Sequence, residues 1–299
     1  NYTREPCCFA LIRQSDYNVV VRVVMISKAC VVGQYQIKLE EMTRQRDLEL
    51  TVVVPPFWRD ERGVIPLERA HTQGYTLLVE PIALNGHFHL HYYPSLPKIL
   101  GHVRPHLLHI DEEPYNFATF HALRAAQRVQ AKTLFFTWQN LLRRYPPPFS
   151  WLESYVLHHA DYAIAGNAEA ADVLHAKKYR GPLRVIPQFG VDPERFKPGV
   201  LSGTQVRSKD ATFRIGYSGG RLVGQKGIDI LLRAVAGLGG DWEVRLLGSG
   251  PARSPLESLA RELGIESRVH FDGTRSSADM PDYYRQLDVL VLPSRTLPN

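Results

Sequence analysis

Short apolar runs alternate with amphipathic helical patterns along almost the whole chain, and this alternation limits the available folds more than any single residue. Runs such as Val21–Ile26 are apolar on both faces, so they need cover on both sides. Parallel strands joined by crossover helices supply that cover. Strands are expected near 20–27, 50–54, 76–80, 106–110, 132–137, 162–165 and 183–187, then near 213–218, 242–247, 268–271 and 288–292. Helices are expected near 34–45, 95–102, 115–128, 150–159, 167–177, 226–238, 254–263 and 279–286. A chain of 299 residues is long enough for two such units, each with its own core. The break is placed at Gly190–Gly199, where two glycines and two prolines stand among polar residues. The expected organisation is an atypical extension at 1–19, a first domain at 20–192, a linker at 193–211 and a second domain at 212–299.

Composition excludes some classes and leaves others open. No run of eighteen apolar residues is present, so no sequence segment reads as a bilayer span. The formal net charge of +6 favours an acidic partner; nucleotide diphosphates and anionic lipid surfaces both qualify. Nucleic acid is not expected, because neither a long basic run nor zinc-finger spacing accompanies the charge. The three cysteines Cys7, Cys8 and Cys30 are too few and too uneven for a disulfide framework, which suits a reducing cytoplasm. His87, His89 and His91 alternate and would share one face of a strand, a metal-like pattern. No carboxylate or cysteine stands at partnering spacing, so no metal is expected.

The run Phe213–Leu232 carries the clearest chemistry. An apolar strand enters the adjacent glycines Gly219 and Gly220, Arg221 follows at once, and Lys226 and Gly227 precede an amphipathic helix. Glycines let the backbone approach a ligand, a helix start offers unpaired N–H groups, and two cations flank them. That combination suits a diphosphate. A Walker phosphate loop would need Gly-Lys-Ser/Thr, which is absent. A dinucleotide fingerprint fails at Gly248–Arg253, which lacks its third glycine and places Pro251 in the turn. Taken alone, the run would also read as ordinary strand–turn–helix punctuation.

Further motifs follow in order: Gly248-x-Gly250-Pro, Val269-x-Phe-x-Gly273 and the strand from Asp288 to Ser294. With Gly-Arg221-x4-Lys226-Gly, this series resembles the C-terminal domain of family 4 retaining glycosyltransferases. The first-half strands agree, with the loop His109–Asn116 resembling that family's cleft-facing strand end. The resemblance covers roughly residues 20 to 299. It implies the α/β GT-B fold, in which two Rossmann-like doubly wound domains face each other across a cleft.

It also implies a nucleotide-sugar donor, used without a metal or other cofactor, and a glycan or lipid-linked acceptor. Arg221 and Lys226 would neutralise the departing diphosphate. Gly33 would approach it from the first domain, and Gly219, Gly220, Gly248, Gly250, Gly273, Thr274 and Ser294 would shape the donor pocket. Relatives often carry histidine near the carboxylate run, so a hydroxyl-orienting or base-like role passes here to Asp111 or Glu112. Against this, three adjacent acids on a loop often serve only as a solvated surface. Trp138 and Gln139 would line the acceptor side. A cytoplasmic protein in peripheral contact with the inner membrane is the expectation.

Family members continue into a Glu-x7-Glu motif that this sequence stops short of, so the second domain is expected to be incomplete, with an exposed sheet edge. Two rival readings accompany the transferase: a non-catalytic nucleotide-binding protein, and a GT-B enzyme of another kind, such as a sugar-nucleotide epimerase or a phosphorylase.

Overall fold

The computed structural model describes residues 20–199 and 212–295. The expected extension at 1–19 and linker residues 200–211 lie outside the described residues. Two compact units divide the chain: one comprises 20–58 and Pro66–Phe189, the other Arg59–Ile65 and the residues from Gly190 onward.

The first unit is built on β1 (Val21–Ile26), α1 (Ile37–Thr43), β2 (Leu48–Val54) and, beyond a short ribbon of β3 (Phe57–Asp60) and β4 (Gly63–Pro66), β5 (Thr76–Val79). There follow α2 (Leu96–Val103), β6 (Leu107–Ile110), α3 (Phe117–Arg128), β7 (Lys132–Thr137), α4 (Phe149–His159), β8 (Tyr162–Ala165), α5 (Ala168–Ala176) and β9 (Leu183–Val185). Seven strands form one sheet in the order β5-β2-β1-β6-β7-β8-β9, and every pair in it is parallel. Val23, Val24, Met25 and Ile26 of β1 are all buried, as a strand covered on both faces requires. Each such side chain withdrawn from water adds about 1.5–3 kcal/mol. Asn167 caps α5 by accepting from the Ala170 N–H at 2.8 Å. The chain reverses direction across the sheet between β1 and β6, and ligands of doubly wound sheets gather beyond the carboxyl ends at such a switch.

The second unit contains β10 (Phe213–Arg221), α6 (Ile228–Val235), β11 (Trp242–Ser249), α7 (Arg253–Glu262), β12 (Val269–Gly273), α8 (Met280–Arg285) and the two-residue β13 (Val289–Leu290). Its parallel sheet has the order β12-β11-β10-β13. The core joins Ile215 and Tyr217 to Leu232, Val235, Val244, Leu246 and Leu256. Val289 and Leu290 on the edge strand are exposed.

Four features differ from the expectations. β10 runs on through Gly219, Gly220 and Arg221 by means of a register shift after Ser218, so these residues end a strand instead of forming a free loop. Lys226 lies in a single 3₁₀ turn, and α6 starts only at Ile228. The β3–β4 ribbon was not foreseen. His87–His91 form turns, with the His91 N–H donating to His87 O at 3.0 Å, so the one-faced strand expected for the three histidines does not form.

Gly227 joins the turn to α6 with φ +63°, and a Cβ there would lie 2.0 Å from the carbonyl oxygen of Pro293. Both the left-handed backbone and the close pass demand glycine. Gly227→Ala should therefore lower stability by about 1–3 kcal/mol, read as a reduced urea midpoint at unchanged slope. An unchanged midpoint would contradict this packing.

Candidate functional site

At the switch point of the first unit, the carboxyl ends of β1 and β6 bring together two lysines and three acids. Asp111 and Glu112 are buried, not solvated. Ser27 Oγ donates to Asp111 Oδ2 at 2.6 Å, Lys38 Nζ lies 3.3 Å from the same oxygen, and Gln188 Nε2 donates to Oδ1. Glu112 is held by the ammonium of Lys28 and lies 3.2 Å from His91 Nε2, an electrostatic contact outside hydrogen-bond geometry. Lys28 in turn lies 5.4 Å from the ring centroid of Trp58 and 4.8 Å from that of Phe88.

These surroundings set the charge states. Burial pushes the Glu112 carboxyl up, but Lys28 and His91 outweigh it and bring its pKa down to about 2. Glu112 is thus a permanent buried counter-ion with little capacity to take a proton. Burial raises Glu113, partly offset by the Thr137 hydroxyl at 2.6 Å and the Trp138 N–H at 2.9 Å. Burial also holds the imidazole of His109 neutral, its pKa lowered to about 4. The buried Cys30 thiol is pushed up to about 11 by desolvation, so it is no nucleophile.

Trp138 and Gln139 leave the end of β7 beside this cluster. Gln139 Nε2 reaches Tyr145 Oη at 3.3 Å and Gln139 Oε1 accepts from Lys177 at 3.3 Å, tying down the loop that follows. Gly33 sits in a 3₁₀ turn after β1 with its N–H given to Glu68 Oε2 at 2.8 Å. A Cβ on Gly33 would meet Ala70 Cβ at 2.7 Å, so this glycine admits close packing of its own chain.

In the second unit the expected donor residues converge on one end of the sheet. Gly220 pairs with Gly248 and Arg221 with Ser249 at the ends of β10 and β11. Gly273 closes β12 with Thr274 directly after it, and Ser294 follows β13. Gly250, at φ +150°, lets Leu222 pass so near that a Cβ would lie 2.6 Å from its carbonyl oxygen. The guanidinium of Arg221 is exposed and ion-paired with Glu61 at 2.5 Å, and Glu61 belongs to the ribbon tip grouped with this unit. Lys226 has no ion-pair partner among the described residues. Glu61, Glu68, Lys28, Lys38 and Gln188 were not among the expected site residues. Lys28, next to the end of the first strand, was the one the sequence could have offered.

Among the described residues, no group of three or more His, Cys, Asp or Glu is arranged to hold a metal ion, and no helix is long and apolar enough to cross a membrane. His89 packs among Phe88, Tyr115, Tyr145 and Phe149, apart from the His91–Glu112 contact.

Two Rossmann-like units, each with its polar groups at the carboxyl ends of parallel strands, define the architecture of GT-B proteins. Sucrose-phosphate synthase from Thermosynechococcus elongatus matches with a TM-score of 0.65 at 18% identity, over 93% of this chain and 77% of that one. HepE of Anabaena, in complex with UDP, matches with a TM-score of 0.63 at 18% identity, over 92% and 74%. At such identities the likeness concerns the fold alone. The sequence profile of Glycosyltransferase Family 4 matches residues 32–195 and that of Glycosyl transferases group 1 matches residues 205–296. The chain belongs to glycosyltransferase family 4. D-inositol 3-phosphate glycosyltransferase of Mycobacterium ulcerans is 33% identical over 163 residues, which are 50% of this chain and 34% of that protein. The chain therefore spans about a third of that relative's length.

Removing the Glu112 charge would leave the partly buried Lys28 without its partner. Glu112→Gln should cost about 3–5 kcal/mol in urea unfolding. Because the folded pKa lies below the ordinary 4.5, the stabilisation is complete above about pH 5 and lost as pH falls toward 2. Acid unfolding of the wild type should follow that course, and the variant should lose this part of the dependence.

Proposed function

We propose that this chain acts as a retaining glycosyltransferase, moving a sugar from a nucleotide-sugar donor to a glycan or lipid-linked acceptor. The observation that carries the reading is the gathering of Arg221 with Gly219, Gly220, Gly248 and Gly250 at one end of the second unit's sheet. Family membership and a fold shared with a UDP complex support it.

In the reaction, the bond between the anomeric carbon and the phosphate oxygen breaks and its electron pair moves onto the departing diphosphate, while the acceptor oxygen bonds to the anomeric carbon and its proton leaves with the diphosphate. Arg221 and Lys226 stabilise that charge more in the transition state than in the ground state, so protein cations meet the electrostatic need and no metal is required. The diphosphate displaces Glu61 from Arg221. Gly273, Thr274 and Ser294 border the nucleotide.

On the acceptor side, Asp111 orients the attacking hydroxyl by accepting its hydrogen bond, while Glu112 keeps Lys28 and His91 in place. Gln139 fixes the loop that carries Trp138. The protein works in the cytoplasm, and exposed Leu141 and Leu142, directly before Arg143 and Arg144 in the chain, suit peripheral contact with an anionic membrane surface.

Calorimetry with UDP, GDP and ADP, followed by assay of the matching sugar nucleotides for release of nucleoside diphosphate with a glycosylated product, tests the proposal. Arg221→Ala should lower transfer about 10²-fold, and unchanged kinetics would remove Arg221 from the mechanism. Nucleotide binding without transfer to any acceptor would favour a binding protein.

A further inference from the structure

Beside Asp111 stand three aromatic side chains that the chemistry of a departing diphosphate does not call for. The rings of Tyr35 and Phe189 have centroids 4.5 Å apart. Trp138 lies nearly parallel to Phe189, at 14° and 6.2 Å. Trp138 and Phe189 are large apolar groups left 38% and 43% exposed.

The ladder is held firmly. The Trp138 ring covers Gly166, where a Cβ would come within 2.3 Å of it. Its Nε1–H donates to Gln188 Oε1 at 3.2 Å, and Gln188 donates through its amide nitrogen to Asp111 Oδ1. The Trp138 main-chain N–H is fixed by Glu113. An exposed aromatic shelf is thus coupled through one glutamine to a carboxylate whose oxygens accept hydrogen bonds.

We propose that this shelf seats an uncharged pyranose, the acceptor end of a glycan, with its C–H face stacked on Trp138 and Phe189 and its hydroxyls directed to Asp111 and Gln188. Aromatic faces are electron-rich and attract the polarised C–H groups of a sugar ring. The same rim disfavours a phosphorylated acceptor. Lys28 is matched by Glu112, Lys38 by Asp111 and Lys177 by Glu153, so none of these three lysines offers an uncompensated charge to an incoming anion. The inference rests on the first unit being the acceptor half of a glycosyltransferase, and it names the acceptor's chemical class.

The test uses the full chain, titrated with the methyl α-glycosides of glucose, galactose and mannose and with the 6-phosphates of each, followed by saturation-transfer NMR and by the Trp138 indole signal. Titrations run with and without UDP. At least one neutral glycoside should bind and shift the indole signal, and its phosphate should bind more weakly. Trp138→Ala and Phe189→Ala should each weaken the glycoside about tenfold while Trp138→Phe recovers most of it. Using Phe189→Ala keeps the test open if Trp138→Ala fails to fold. Tighter binding of the phosphates, through Arg143 and Arg144 for example, overturns the proposal. So does an absence of neutral glycoside binding, or affinity unchanged in both alanine variants. Calorimetric binding of UDP without any neutral glycoside binding sinks this inference alone. Glycoside binding without affinity for any nucleoside diphosphate sinks the donor reading, and with it the acceptor role, while the sugar-binding shelf itself stands.

Discussion

Parallel pairing is the constraint on which the rest depends. When every strand of a sheet points the same way, all of its carboxyl ends fall along one edge, and each crossover must pass through a loop there before its helix begins. In the first unit the two strands flanking the reversal, β1 and β6, end in Ser27-Lys28 and Asp111-Glu112. In the second unit β10 and β13 take the equivalent places, ending near Arg221 and Ser294. Residues more than seventy positions apart become neighbours through hydrogen-bond register, without any local sequence signal.

Charge compensation then decides which of these residues stay available. Three consecutive acids would ordinarily be solvated. Here each is engaged differently: Asp111 by a hydroxyl, a lysine and a glutamine, Glu112 by a lysine and a histidine, Glu113 by a hydroxyl and a main-chain N–H. The desolvation penalty for a buried carboxylate is severe, and such pairing offsets it. Glu112 is therefore committed to the scaffold, whereas Asp111 shares its rim with a half-exposed aromatic surface.

Much of the fold was legible because its elements obey simple periodicities. Runs such as Lys132–Thr137 and Trp242–Leu247 carry too many buried apolar residues to be anything but covered strands, and both occur as expected. The β3–β4 ribbon escaped notice because Pro55 and Pro56 precede it and its middle reads Arg-Asp-Glu-Arg, a composition typical of exposed loops. Spacing in the three histidines pointed to a strand, but Gly86 and the turn around Leu84 curl that segment instead. The glycines of the second unit could be read as ligand-facing, yet nothing in their order revealed that β10 continues through them. The partners of Lys28, Lys38 and Arg221 are long-range contacts, and one sequence read alone contains no trace of them.

Glu61 gives the guanidinium of Arg221 a resident anion. A newcomer gains only the difference between its own attraction and that of the carboxylate it evicts, so a singly charged species competing for the position has little net advantage. A multiply charged group with several oxygens keeps a surplus after the exchange. Because both side chains of this pair are exposed, the carboxylate contributes no more than about 1 kcal/mol, a small barrier that a multiply charged group clears more easily than a monoanion.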